Sequence, residues 1–199
     1  DGEVYFRSLA TRGSGSELAD CLPGAIKACR AAGFDLILVE TSGIGQGDAA
    51  IVPFVDLTIY GMTPEYGAAS QLEKIDMLDF ADLVAINKFD RKGAEDAFRD
   101  VRKQYQRNHE LFGLSLDEMP VYGTIASKFN DDGVTALYHA ILAELAERGL
   151  AAWGSDLSRG EARTSSRRDL VVPADRTQYL ADVARAVRAY RGAAAAKAD

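Results

Sequence analysis

Leu83-Val84-Ala85-Ile86-Asn87-Lys88-Phe89-Asp90 is the stretch whose reading decides the fold. Its first four side chains are apolar without alternation, the pattern of a short strand buried on both faces of a parallel sheet. The next four read NKxD. A guanine ring carries two neighbouring donors, N1–H and the 2-amino group, and one carboxylate can accept both. Asp90 is the carboxylate placed for that task, Asn87 braces the loop and reaches the purine edge, and the methylene stem of Lys88 lies along the ring face. Adenine offers a lone pair at N1 and no 2-amino group, so such a site selects GTP over ATP. As four letters NKxD also arises by chance, and the bland alternative is a polar turn in which Asp90 caps the next element of the chain. The strand in front of it favours the functional reading.

Two further segments extend the constellation. Val121 to Ala126, followed by Ser127 and Lys128, is the next expected strand and carries a second purine loop, in which the Ala126 N–H would donate to guanine O6. Leu36-Ile37-Leu38-Val39 is the most hydrophobic run of the chain and reads as a central strand. Ligands of open α/β sheets bind outside the carboxyl ends of such strands, and Glu40-Thr41-Ser42-Gly43 stands there. Glu40 would hold Mg²⁺, through a water, because Mg²⁺ keeps much of its hydration shell. Gly43 lets its N–H approach a γ-phosphate without a Cβ in the way. Most small G proteins carry Asp at the position of Glu40. The phosphate-cradling motif GxxxxGK[ST] occurs nowhere in the 199 residues.

Apolar runs alternate with helical patterns along the chain. Strands are expected at Val4–Ala10, Leu36–Thr41, Leu57–Met62, Leu83–Asn87 and Val121–Ala126. Helices are expected at Leu18–Ala32, Ala68–Phe80, Ala94–His109 and Val134–Arg148. This βα alternation predicts an α/β fold, a doubly wound and mostly parallel sheet of the P-loop NTPase type, lacking its N-terminal phosphate-loop segment. The expected organisation is a GTPase domain over 1–150, a polar linker over 151–173, and a linker helix over 174–199 that presents Tyr179, Leu180, Val183, Val187 and Tyr190 at helical spacing.

A net charge of −7 and a pI near 4.9 argue against nucleic acid as the main partner. No apolar run reaches membrane-spanning length and no secretory signal opens the chain. Cys21 and Cys29 are too few and too far apart for a metal motif or disulfide framework, which points to a reducing cytoplasm.

At this point the residues match a family. Arg7 to Gly13 (RSLATRG), Glu40-Thr41-Ser42-Gly43-Ile44-Gly45-Gln46 (ETxGxGQ) and Asn87 to Asp90 resemble the G-protein chaperones of adenosylcobalamin-dependent acyl-CoA mutases. Pro64-Glu65-Tyr66-Gly67 with Gln71, Leu72, Glu73 and Lys74 looks like the subgroup in which the chaperone is fused to an isobutyryl-CoA mutase. The resemblance covers nearly the whole chain. It implies a phosphate loop upstream of Asp1, cobalamin-binding and mutase domains as partners, and a homodimeric parent. It further implies GTP hydrolysis that gates adenosylcobalamin loading and repair while the mutase interconverts isobutyryl-CoA and n-butyryl-CoA. No residue here is assigned to the cobalamin or acyl-CoA sites.

Gly43 to Asp48 holds three glycines around Gln46, a composition suited to a switch loop that changes shape when γ-phosphate contacts vanish. Gln46 would orient the attacking water; a spectator amide is an equal alternative. Gly45, Gln46 and Asp48 are thus the switch candidates. Lys74, sharing a helical face with Gln71, would reach a phosphate or a switch carboxylate, against the alternative of a solvated surface lysine. Arg12 would contact phosphate or partner, against an ordinary surface ion pair. His109 and His139 lack ligand-spaced partners and are not catalytic candidates. Three readings remain: a Mg²⁺-dependent GTPase domain, a scaffolding segment that hydrolyses nothing because the phosphate loop is missing, and a metal-inserting GTPase, for which no Cys/His carrier site is apparent.

Overall fold

The computed structural model describes residues 4–9, 18–41, 49–67, 72, 77–150, 153–160, 162–166 and 179–195. Three strands, β1 (Ile59–Met62), β2 (Leu83–Asn87) and β3 (Val121–Thr124), form a parallel sheet in that order. Its register pairs Ile59 with Leu83 and Val84 with Val121. The described helices are α1 (Leu22–Ala31), α2 (Met77–Phe80), α3 (Ala94–Asn108), α4 (Asp132–Glu147) and α5 (Tyr179–Ala195). The expected α/β architecture with a parallel sheet is therefore present.

β2 is the middle strand, and its side chains from Leu83 to Ile86 are all buried. Alternation along the strand sends Val84 and Ile86 to one face. There they join Val121, Phe98, Val101, Tyr105, Leu78 and Met119 in the main core under α2 and α3. Tyr122 of β3 points the other way, against Ala136, His139, Ala140 and Ala143 of α4. Both faces are covered, which is why the sequence of β2 is apolar without a break.

α3 starts after Gly93, whose φ of 87° suits glycine, and carries Glu95 and Asp96 in its first turn, where carboxylates favour the helix dipole. α4 begins at the N-cap Asp131, whose side chain accepts the Val134 N–H. Below the sheet, at the amino ends of β1 and β2, Asp82 accepts the Thr58 N–H at 2.7 Å and hydroxyl at 2.8 Å, together with an Arg148 N–H at 2.5 Å. This polar cluster fastens the end of α4 to the starts of two strands. Burial opposes the ionised form of Asp82, but the hydrogen bonds from Arg148 and Thr58 prevail and lower its pKa.

Two expected strands do not form. Residues 4–9 have no regular structure, and Val4 and Phe6 are 92% and 86% exposed. Leu36–Thr41 likewise pairs with none of the three strands, and Leu38 is 84% exposed. The physical reason is the ladder: a strand's N–H and C=O groups need a neighbouring strand, and hydrophobicity alone does not supply one. β1 is itself an edge strand with no outer neighbour among the described residues.

Past α4 the chain returns to the sheet. Gly123 N–H donates to Arg163 O at 3.0 Å and Ser165 N–H donates to Gly123 O at 2.8 Å, a parallel bridge that lays Arg163–Ser165 along the outer edge of β3. No described helix is long and apolar enough to cross a membrane.

Candidate functional site

The carboxyl ends of β2 and β3 lie side by side, so their following loops meet at one rim. Asn87 closes β2, and its Oδ1 accepts the Lys88 N–H at 2.8 Å and the Ala126 N–H at 3.1 Å. One amide oxygen thus binds the two loops together. Lys88 adopts φ 58°, a left-handed conformation costly for a side-chain-bearing residue and typical of functional turns.

Phe89, the variable letter of NKxD, turns inward and is 7% exposed. Its N–H donates to Thr124 O at 3.1 Å, and its ring meets Phe98 edge-on at 5.7 Å. β3 accommodates that ring because it carries Gly123 beneath it: a Cβ there would come within 2.5 Å of Phe89 Cδ2. With Phe89 anchored inward, Lys88 and Asp90 on either side are exposed.

Ala126 and Ser127 are exposed as well. An open cavity of about 640 Å³ lies between the loops, lined by Asp90, the start of α3, Ile125, Lys128 and Ser165. Of the purine-side candidates only Asp90 lines it. The β2–β3 register and the Asn87–Ala126 hydrogen bond bring the loops that carry Asn87, Lys88, Asp90, Ala126 and Ser127 together at one rim.

Glu40 is exposed at the end of the unpaired run, and no hydrogen bond or ion pair among the described residues links it to the purine-side cluster. Gly43, Gly45, Gln46, Asp48, Lys74, Gln71 and Arg12 lie outside the described residues. Among the described residues no three His, Cys, Asp or Glu side chains converge as a metal centre. A lone hard-oxygen donor such as Glu40 fits Mg²⁺ that draws the rest of its shell from phosphate oxygens and water. The same donor set offers nothing to a soft transition metal. His139 is buried within α4's packing, His109 Nε2 lies 2.9 Å from Leu78 O, and Cys21 and Cys29 are free thiols.

Three residues beside the cluster escaped the sequence reading. Asp131 is 6% exposed and, besides capping α4, accepts the Ile125 N–H at 3.1 Å, one residue before Ala126. The N-cap position ahead of an apolar helix was the signal available for it. Glu65 and Arg91 form an ion pair joining the Pro64–Tyr66 turn to the NKFD loop. Hydrogen bonds from Thr63 and from the backbone, and then from Arg91, bring the Glu65 carboxyl down to about 2.

The family model described as methylmalonyl-CoA mutase-associated GTPase MeaB matches residues 1–181. A fused isobutyryl-CoA mutase of Paraburkholderia xenovorans is 63% identical over 196 residues, which is 98% of this chain and 15% of that protein. The corresponding protein of Cupriavidus metallidurans is 62% identical over 94% of this chain and 17% of its own length. A putative GTPase of Pyrococcus abyssi is 40% identical over 71% of this chain and 43% of its length. The chain thus spans less than a fifth of the fused mutases it matches.

Proposed function

Because this chain belongs to the methylmalonyl-CoA mutase-associated GTPase MeaB family, we propose that it forms the guanine-reading part of a Mg²⁺-dependent GTPase that serves as chaperone to an adenosylcobalamin-dependent acyl-CoA mutase. Asp90 grips N1–H and the 2-amino group, Asn87 and Lys88 hold the purine edge and face, and Ala126 and Ser127 close around O6. Glu40 holds Mg²⁺ and Gly43 meets the γ-phosphate, with Gln46 as water-positioning and Lys74 as phosphate-reaching candidate. Gly45, Gln46 and Asp48 form the switch. Mg²⁺ would neutralise charge developing on the transferred phosphoryl group; this chain's part is to hold the base and offer one carboxylate to the ion.

The observation that carries this reading is the shared Asn87 Oδ1, which locks the NKFD and Ala126 loops into one rim opening on a cavity beside Asp90. Relatives joined to isobutyryl-CoA mutase support a mutase as partner. In this reading GTP turnover gates loading and repair of adenosylcobalamin, which belongs to the partner domains. Residues 1–150 form the GTPase domain and the segments beyond it lead to the mutase. The scaffolding alternative is less favoured, since the same relatives include proteins named as GTPases.

The test is Asp90→Asn in the full-length polypeptide. Loss of a doubly accepting carboxylate is expected to weaken GTP binding by about 100-fold, while xanthosine triphosphate, whose ring carries a carbonyl where guanine has the amino group, gains affinity. Unchanged guanine selectivity overturns the assignment.

A further inference from the structure

We propose that the Arg163–Ser166 strap aims the purine loop, with Ser165 as a positioning residue, so that docking of the strap and binding of guanine reinforce each other. The inference rests on the purine-site reading above and adds a coupling to it. The strap does more than cover an edge. The Ser165 hydroxyl donates to the Asp131 carboxylate, with both oxygens at 2.7 Å, and Ser166 N–H donates to Asp132 at 2.8 Å. Asp131 in turn accepts the Ile125 N–H, and the next residue is Ala126, whose N–H donates to Asn87 Oδ1 at 3.1 Å and so ties this loop to the NKFD loop. A single buried carboxylate therefore joins the strap, the start of α4 and the purine loop.

The approach is close enough to be specific. A Cβ on Gly133 would lie 2.0 Å from Gly123 O and 2.7 Å from Ser165 N, so strap, strand and helix meet only because that residue is glycine. Ser165 also lines the cavity that Asp90 and Lys128 line. The strap is thus at once a wall of the cavity beside Asp90 and a partner of the carboxylate that sets the Ala126 loop.

Withdrawing the strap removes a donor from Asp131, which is then free to reorient and release Ile125. The Ala126 N–H then loses its register with Asn87 Oδ1, and the NKFD loop loses part of its brace. By linkage, a guanine that fixes the Ala126 loop also favours the docked strap, and the factor is the same in both directions.

The test uses the full-length polypeptide in two backgrounds. Ser165→Ala is expected to weaken GDP binding about fivefold, at the lower end of ordinary coupling. In an Asn87→Ala background it should weaken GDP binding by less than about twofold, because the brace through which the strap acts on the NKFD loop is already gone. In the unsubstituted protein, GDP should slow amide exchange at Ser165 and Ser166, a measurement that stands even if the variant folds badly. Equal losses in both backgrounds would mean that Ser165 only stabilises the fold, and strap exchange indifferent to GDP would mean that no linkage exists; either result overturns the proposal. Asp90→Asn separates the two levels. If it leaves GDP binding intact, the purine reading fails and the coupling with it; if it abolishes GDP binding while Ser165→Ala changes nothing, the coupling alone is lost.

Discussion

Leu83–Ile86 and Leu36–Val39 are almost interchangeable as sequence, four aliphatic residues ahead of a polar functional tetrad, yet they end up in opposite states. Leu83, Val84 and Ile86 are 1% exposed or less, at the centre of a paired sheet, while Leu36 and Leu38 are 48% and 84% exposed and unpaired. The loops differ in the same way. The purine loops are tied by Asn87, Phe89 and Asp131, whereas Glu40 stands without a comparable brace among the described residues. Composition nominates a strand, but a neighbouring ladder makes one. The purine side has its ladder within these residues. The side carrying Glu40 has an exposed apolar run and, among the described residues, an unmatched outer edge of β1.

The largest effect expected from this asymmetry is on nucleotide affinity. A phosphate loop, which the family resemblance implies for the full-length polypeptide, would add a lysine and backbone N–H groups whose charge-assisted hydrogen bonds are worth about 1.5–3 kcal/mol each, and two of them already amount to about 1000-fold. Titration calorimetry should therefore show GTP binding to the 199 residues alone at least about 1000-fold weaker than to the full-length polypeptide. Comparable affinities would break the division of labour between the two sides.

Stability should divide along the same line. Ile86→Ala, at a position with no solvent exposure, is expected to cost about 2–5 kcal/mol in denaturant unfolding. Leu38→Ala should stay within about 0.5 kcal/mol in the same polypeptide if the run is as exposed there as here. A core-sized penalty at Leu38 would instead show that the full-length polypeptide pairs this run.

The purine side was legible because its signals are local. NKxD follows its own strand, the apolar stripe of α3 announces the face that buries Phe98, Val101 and Tyr105, and Asp131 precedes a helix start. What escaped is non-local. The strap is polar and reads as linker, since its attachment runs through backbone groups and the Ser165–Asp131 hydrogen bonds, which leave no hydrophobic periodicity. The failure of Leu36–Thr41 to form a strand is equally invisible, because pairing is a property of two segments and the sequence of one says nothing about the other.

A smaller effect tests whether the Asn87 brace or the base-reading carboxylate dominates the purine side. Asn87→Ala removes the acceptor shared by the Lys88 and Ala126 N–H groups. Both donors lie at the surface and regain water, so the expected stability loss is only about 1 kcal/mol. Guanine affinity should fall about tenfold, measured by fluorescent GDP displacement, less than for Asp90→Asn. A loss as large as that of Asp90→Asn would make loop geometry, not base recognition, the chief source of affinity.

The smallest effect lies at the other end of the same strands, where the polar cluster around Asp82 serves the fold and not the ligand. Its carboxyl is held below the ordinary value of 3.8 by hydrogen bonds from Arg148 and Thr58 that outweigh burial. A carboxylate whose folded pKa is depressed contributes stability above its unfolded pKa and loses it as pH falls through the folded value. Asp82→Asn, which mimics the protonated form, should therefore lower the urea midpoint at pH 7, and the gap to wild type should close as the pH drops below 3.8 toward the folded pKa. Because the proposed guanine site lies at the opposite rim, GDP affinity at pH 7 should not change with this substitution. A gap that persists at the lowest pH would assign the cluster's contribution to packing, and a change in GDP affinity would show that the two ends of the sheet are coupled after all.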